Sequence, residues 1–392
     1  MAVGAVMVYS ASSAESLIST GDSFFYLERY LAFGLLGLLL LHFLSRHGMR
    51  LARRATAVLL FVSLALTVVV MVPGIGVQIN GAARWLSAGP IQFQPSELLK
   101  LALVLYAARL LAARPDAVKS LRTLVMPLFL VVGASCLLVL KEPDMGTAVV
   151  ICLAITCLVI GAGTPLRYFV LVGALVVGLG FVLAIAEPYR QQRLTAFLNP
   201  WQDPSGIGFQ IVQSMIAIGS GGLFGVGLGE SVQKIFYLPE AHTDMILAII
   251  GEEVGLVGVV GVGMLYGLIA YAGMRVARFA SDRYSQLVAI GLTSLVVCQA
   301  ALNFLAVVGM APLTGVPLPL ISYGSSNLIV LLAAMGILLN AAAARGATVD
   351  KPRTSTDEPE TAYTDSSPGS DSRWGNGRPR NTGPRSGRPA TR

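Results

Sequence analysis

Leu31-Ala-Phe-Gly-Leu-Leu-Gly-Leu-Leu-Leu-Leu-His42-Phe-Leu44 is followed by Ser45-Arg46-His47-Gly-Met-Arg50-Leu-Ala-Arg53-Arg54 and then by Ala55-Thr-Ala-Val-Leu-Leu-Phe61-Val-Ser-Leu-Ala-Leu-Thr67-Val-Val-Val70. Two long apolar runs thus flank a link with four arginines. A helix of ~20 apolar residues crosses the ~30 Å hydrocarbon layer of a bilayer. Read this way, the stretch is two membrane spans with a basic connector.

The same alternation continues along the chain. It predicts helices near 1–10, 25–44, 54–73, 95–113, 122–140, 145–163, 167–186, 243–273, 284–309 and 325–344. The fold class expected is an all-α integral membrane protein with about ten transmembrane helices. A large extracytoplasmic loop, 187 to about 242, lies between spans seven and eight. The first run is half-length, and it lacks the basic start and full apolar stretch of a cleavable signal peptide.

Composition agrees. The 392 residues are 55% hydrophobic and 12% charged, against about 25% charged in a soluble domain. Mean hydropathy is +0.71. Cations gather in alternate connectors: Arg46, Arg50, Arg53 and Arg54, then Arg109, Arg114, Lys119 and Arg122, then Arg167, then Arg275, Arg278 and Arg283. The positive-inside rule makes these cytoplasmic, with both termini inside.

Residues 1–345 form the membrane domain. Residues 346–392 are rich in Ser, Thr, Pro, Gly and charge and are expected to be a disordered cytoplasmic tail. Its arginine-rich end suits anionic lipid headgroups or an acidic cytoplasmic partner, and nucleic acid is not expected. Cys136, Cys152, Cys157 and Cys298 all fall in apolar runs, with no metal-ligand spacing.

Polar residues concentrate on the extracytoplasmic side. Lys234-Ile-Phe-Tyr-Leu-Pro-Glu240-Ala-His242-Thr243-Asp244 precedes span eight. Thr243 or Asp244 can cap that helix. Alternatively, a carboxylate at this mouth can act as general base toward a hydroxyl. Glu252 and Glu253 lie about 12 Å deeper if the helix is continuous, too far to pair with Asp244. They read as network residues or as a path for protons or ions.

Arg84-Trp85 and Gln94-Pro95-Ser96-Glu97-Leu-Leu-Lys100 form a second cluster. Glu97 and Lys100 are i,i+3 neighbours and can pair within the helix; alternatively, Lys100 and Arg84 make a cationic spot suited to a diphosphate. Lys141-Glu142-Pro143-Asp144 and Ser322-Tyr323-Gly324-Ser325-Ser326 are further clusters. The glycine string Gly219 to Gly229 lacks the preceding strand and the Gly-Lys-Ser/Thr of a phosphate loop, and reads as a flexible loop.

These clusters, in this order, resemble the SEDS family (FtsW/RodA/SpoVE), from Met7-Val-Tyr-Ser-Ala-Ser12 to the end of span ten. Ser231-Val-Gln-Lys234-Ile-Phe-Tyr-Leu-Pro-Glu240-Ala241-His242-Thr-Asp244 is similar to the FtsW branch. One departure is that Tyr323-Gly324 runs directly into Ser325-Ser326, where the family usually has a second glycine.

The resemblance implies a peptidoglycan glycosyltransferase polymerising lipid II during cell division. Inversion occurs at the anomeric carbon and undecaprenyl diphosphate is released. It implies Asp244 as the catalytic carboxylate, and Arg84, Glu97, Lys100, Asp144, Gln213, Lys234, Glu240, His242 and Ser322 as substrate-binding positions. It also implies a divalent cation (magnesium or manganese), with no organic cofactor. The partners implied are a class B penicillin-binding transpeptidase and other divisome membrane proteins, at the division septum. A lipid II flippase with a midplane site and a non-catalytic division scaffold are the competing readings.

Overall fold

The computed structural model describes residues 1–79, 82–89, 91–114, 121–164, 195–235 and 237–349. The span expected at 167–186, the connector at Arg167, Lys119 and nearly all of the tail lie outside the described residues.

Helix α1 (Ala2–Thr20) is longer than the expected 1–10. Its second half is small and polar, so hydropathy falls while the helix continues. Ser12 Oγ donates to the Val8 carbonyl at 2.7 Å, and Gly21 ends the helix in the left-handed conformation, φ +78°.

Helix α2 (Phe25–Val70) is a single helical run of 46 residues, yet its contacts require it to double back. Near its start, the Tyr26 ring lies 5.1 Å from that of Tyr323. The Arg53 carbonyl accepts from Arg109 Nη1 at 3.2 Å, near the far end of helix α3 (Pro95–Ala113). Val70 then abuts Gly76, and Gly76 pairs with Leu86, which pairs with Phe93, two residues before α3 begins. At ~1.5 Å per residue, 54–70 covers much the same distance as 95–109 in the opposite sense.

The reversal falls at 45–49. Asn340 Nδ2 donates to the Ser45 carbonyl at 2.7 Å, and Asn340 Oδ1 accepts from the Met49 N–H at 3.0 Å. The two-run reading of the opening stretch therefore matches the path of the backbone.

The all-α expectation needs correction. Strands β1 (Gly76–Ile79), β2 (Ala82–Ala88) and β3 (Ile91–Phe93) form an antiparallel sheet in the order β1-β2-β3. Ile79 pairs with Ala82, leaving a two-residue link of sequence Asn80-Gly81, the dipeptide with the strongest hairpin preference. Strands this short are lost in a window sized for membrane helices.

Helices α4 (Leu121–Lys141) and α5 (Met145–Gly161) follow. After the undescribed segment come α6 (Phe209–Gly221), the short α7 (Ile246–Glu253), α8 (Gly255–Arg278), α9 (Arg283–Val307) and α10 (Ser325–Val349). Expected span eight, 243–273, is broken: Gly255 takes φ +75° and separates α7 from α8. Central α9 packs on α3, α5 and α8, while α10 packs along α2. Among the described residues, α2, α8, α9 and Ser325–Ala343 of α10 are long and apolar enough to cross a membrane.

The glycine string is not a flexible loop. Val226 N–H donates to the Glu252 carbonyl at 2.9 Å and Gly227 N–H to that of Glu253 at 3.1 Å. Leu256 N–H donates to the Gly222 carbonyl at 2.9 Å. A Cβ on Gly221 or Gly225 would collide with the backbone at Gly251 to Val254. The glycines permit a tight strap over the α7–α8 break.

Candidate functional site

Asp244 lies outside the helix it was expected to cap. α7 begins at Ile246, and its N-cap position is Met245, with no side-chain capping bond. Residues 240–245 form turns instead. Glu240, at φ +57°, accepts at its carbonyl from the Thr243 and Met245 N–H groups at 3.1 and 3.2 Å. Asn303 Nδ2 donates to the Asp244 carbonyl at 2.7 Å and to that of Val316 at 2.8 Å. Tyr323 N–H donates to the His242 carbonyl at 3.0 Å.

The fold thus grips the main chain at both 242 and 244. The half-buried carboxylate of Asp244 faces the Thr243 hydroxyl at 3.4 Å and lies beside Gly315. Thr243 Oγ1 also donates to Glu240 Oε2 at 2.8 Å.

His242 is buried, with its ring 4.3 Å from Tyr26 and 5.7 Å from Tyr323. Its Nδ1 lies 3.4 Å from Glu15 Oε2 of α1. Arg29 lies close to the Tyr323 side chain and stacks over Phe25, 4.1 Å from its centroid. Glu15, Tyr26, Arg29, His242 and Tyr323 therefore share one mouth, with Asp244 two residues along the chain from His242. The places of Glu15 and Arg29 were not legible, because Arg29 sits in a span read only for hydropathy and Glu15 in the stretch left between the first two expected spans.

Glu97 and Lys100 form a 2.9 Å ion pair, with side chains 3% and 1% exposed. Lys100 Nζ also donates to Gln299 Oε1 at 2.9 Å, and Asn327 Nδ2 donates to Glu97 Oε2 at 2.7 Å. Gln299 Nε2 donates to the Pro317 carbonyl at 3.0 Å. In this arrangement Lys100 is neutralised, not a cation on offer to a diphosphate. Gln299 and Asn303 stand at i,i+4 on α9, a polar pair on an apolar span, and that spacing was the readable signal for them.

Arg84 is half-buried. Its Nε donates to the Glu142 carbonyl at 2.9 Å and its Nη2 to that of Pro143. Asp144 caps α5, accepting from Thr147 N–H at 3.0 Å, and accepts from Gln94 Nε2 at 3.0 Å. Ser322 Oγ accepts from Leu318 N–H at 2.8 Å and closes the turn before α10. Gln213 is half-buried on α6, which packs against α7. Lys234 pairs with Glu253 at 2.9 Å, at the opposite end of α7 from Asp244. The structure therefore brings Glu240 and His242 to Asp244 and joins Glu97 to Lys100, while Asp144 and Ser322 hold turns.

Neither carboxyl oxygen of buried Glu142 has a hydrogen-bond partner among the described residues. Desolvation first, then nearby Asp144, pushes its pKa up from 4.5 to about 8, against the opposing pull of Arg84. Between those values the folded chain keeps a proton that the unfolded chain releases, so the contribution of Glu142 to stability falls as pH rises from about 4.5 to about 8. Glu142→Gln is expected to melt higher than wild type at pH 8, with the difference vanishing toward pH 4.5. A difference independent of pH would show that Glu142 is ionised throughout.

Among the described residues no three carboxylate, histidine or cysteine side chains converge on a possible metal position. They do not form a cage for the expected divalent cation.

A model of the cell cycle protein family FTSW_RODA_SPOVE matches residues 1–346. The chain is 39% identical over 342 residues to stage V sporulation protein E of Bacillus subtilis, covering 87% of this chain and 93% of that one. It is 42% identical over 342 residues to the probable peptidoglycan glycosyltransferase FtsW of Trichlorobacter lovleyi, covering 87% and 89%. Among solved structures it is similar to a chain of a peptidoglycan synthase complex studied for its structural coordination of polymerization and crosslinking. The TM-score there is 0.69, with 34% identity over 87% of this chain and 96% of that one. It is also similar to the Thermus thermophilus rod shape determining protein RodA, with TM-score 0.61 and 32% identity over 87% and 95%.

Proposed function

Because the chain belongs to the FtsW/RodA/SpoVE family of cell cycle proteins, we infer that it is a peptidoglycan glycosyltransferase of the bacterial cell membrane, polymerising lipid II with Asp244 as general base. The carrying observation is the setting of Asp244. Its main chain is held from α9 by Asn303 while its carboxylate lies outside the capping geometry of α7. Its side chain stands beside the Thr243 hydroxyl and Gly315 while its backbone is fixed.

The chemistry follows from that placement. The 4-hydroxyl of one lipid-linked disaccharide gives its proton to Asp244 as its oxygen bonds to the anomeric carbon of another. The bond from that carbon to the diphosphate oxygen breaks, undecaprenyl diphosphate leaves with the electron pair, and the carbon inverts. A positioned base of this kind contributes ~10²–10⁴ in rate. Tyr26 and Tyr323 offer ring faces to the sugars, and Arg29 and Arg84 supply positive charge for the diphosphate.

We assign ten spans with both termini cytoplasmic, the mouth outside and residues 187–242 extracytoplasmic, with action at the division septum. A class B penicillin-binding transpeptidase is the partner proposed. Its support is the similar chain found in a complex that coordinates polymerization and crosslinking. Other divisome membrane proteins, and anionic lipid or an acidic partner for the tail, complete the proposal. Glu252 and Glu253, the features that favoured transport, are engaged by Ser231, Ser10 and Lys234.

The test is direct. The purified chain with its transpeptidase partner, given labelled lipid II and a divalent cation, should produce glycan ladders on a gel. Folded protein that yields no ladder with the partner present would overturn the reading.

A further inference from the structure

α7 has eight residues, all buried. Asp244 stands just before its first turn, and Glu252 and Glu253 form its last. What holds that far end is a buried polar knot drawn from three separate parts of the chain. Glu253 Oε1 accepts from Lys234 Nζ at 2.9 Å, and both its oxygens lie 2.7 Å from Ser10 Oγ of α1. Lys234 Nζ also donates to the Gly229 carbonyl at 2.6 Å. Glu252 accepts from Ser231 Oγ and, at 3.1 Å, from Val232 N–H. The strap bonds to the Glu252 and Glu253 carbonyls close the same end. Lys234 and Glu253 are 7% and 0% exposed at their side chains, so the pair acts with little solvent screening.

We propose that Lys234 and Glu253 are a positioning pair, an ionic latch that fixes α7 from its far end and thereby sets the Asp244 carboxylate. A helix this short cannot hold itself. Its position is decided by what grips its two ends: Asn303 and the Glu240 turn at one, the latch and strap at the other. Breaking the latch frees one end of the lever, and a shift of about 1 Å at a reacting group can cost ~10²-fold in rate. Because Ser10 contributes, α1 is part of the mount that places the base. The inference rests on the polymerase reading for its activity arm only.

The experiment compares wild type with Lys234→Met, Glu253→Gln and the double variant Lys234→Met/Glu253→Leu, each with the transpeptidase partner. It reads kcat and KM for lipid II, together with hydrogen exchange of peptides covering 238–250. The single variants should lose up to ~10²-fold in kcat with KM little changed, and should exchange faster in 238–250 but not in α9 or α10. Removing both charges leaves no stranded buried ion, so the double variant should recover most of the kcat and the slow exchange. Wild-type kcat and exchange in the single variants would overturn the latch. So would exchange that quickens throughout the protein, which is the mark of a merely structural pair. If wild type itself makes no polymer, the polymerase reading fails, and exchange confined to 238–250 still decides the latch.

Discussion

Asp244→Asn is expected to remove the glycan ladder, with the rate of lipid II polymerisation falling by ~10²–10⁴, while the protein melts as wild type does. Two features make this a clean experiment. Asn303 bonds the Asp244 carbonyl, not its carboxylate, so the amide variant keeps that main-chain anchor. α7 takes no capping bond at its N-cap residue, so the helix does not depend on one from there. Asn is close to Asp in shape but does not accept the hydroxyl proton at neutral pH. Asp244→Ala should behave alike. A ladder from either variant at near wild-type rate would leave the polymerase in place and remove Asp244 from the chemistry.

Lys100→Met is expected to do the reverse, with the main loss in stability. Glu97 would keep its bond from Asn327 but lose its buried countercharge. Breaking one partner of a buried pair typically costs about 3–5 kcal/mol, whereas replacing both by apolar groups is often neutral. Glu97→Gln should fall less far than Lys100→Met, since a glutamine can still accept from Asn327 and Lys100 keeps Gln299 Oε1. The double variant Glu97→Leu/Lys100→Met should recover most of the lost denaturation midpoint, measured in detergent. A single variant that melts normally but fails to bind lipid II would return Lys100 to the diphosphate.

How much of this was legible depends on the length scale of each signal. Runs such as 31–44 and 55–70 declare themselves, because membrane spans are long and apolar. The sheet hid because β1 and β3 are shorter than any hydropathy window, although Asn80-Gly81 marks the hairpin. α1 was read at half its length because Ser10 to Ser16 are polar in composition yet mostly buried in the fold. Asp244 and its neighbours Glu240 and His242 were found because five residues carry all three. The Glu97–Lys100 pair was readable from its i,i+3 spacing, whereas sequence did not show that Glu253 answers Lys234. That is settled by packing between distant segments.

The Asn340 bonds carry a consequence for biogenesis. The Ser45 carbonyl and Met49 N–H emerge from the ribosome early, whereas the amide that bonds both belongs to α10. The contacts that clasp the first hairpin therefore form only once α10 has been made. A chain cut short before residue 340 would lack this clasp near its beginning, so quality control that samples the first hairpin would in effect be proofreading α10.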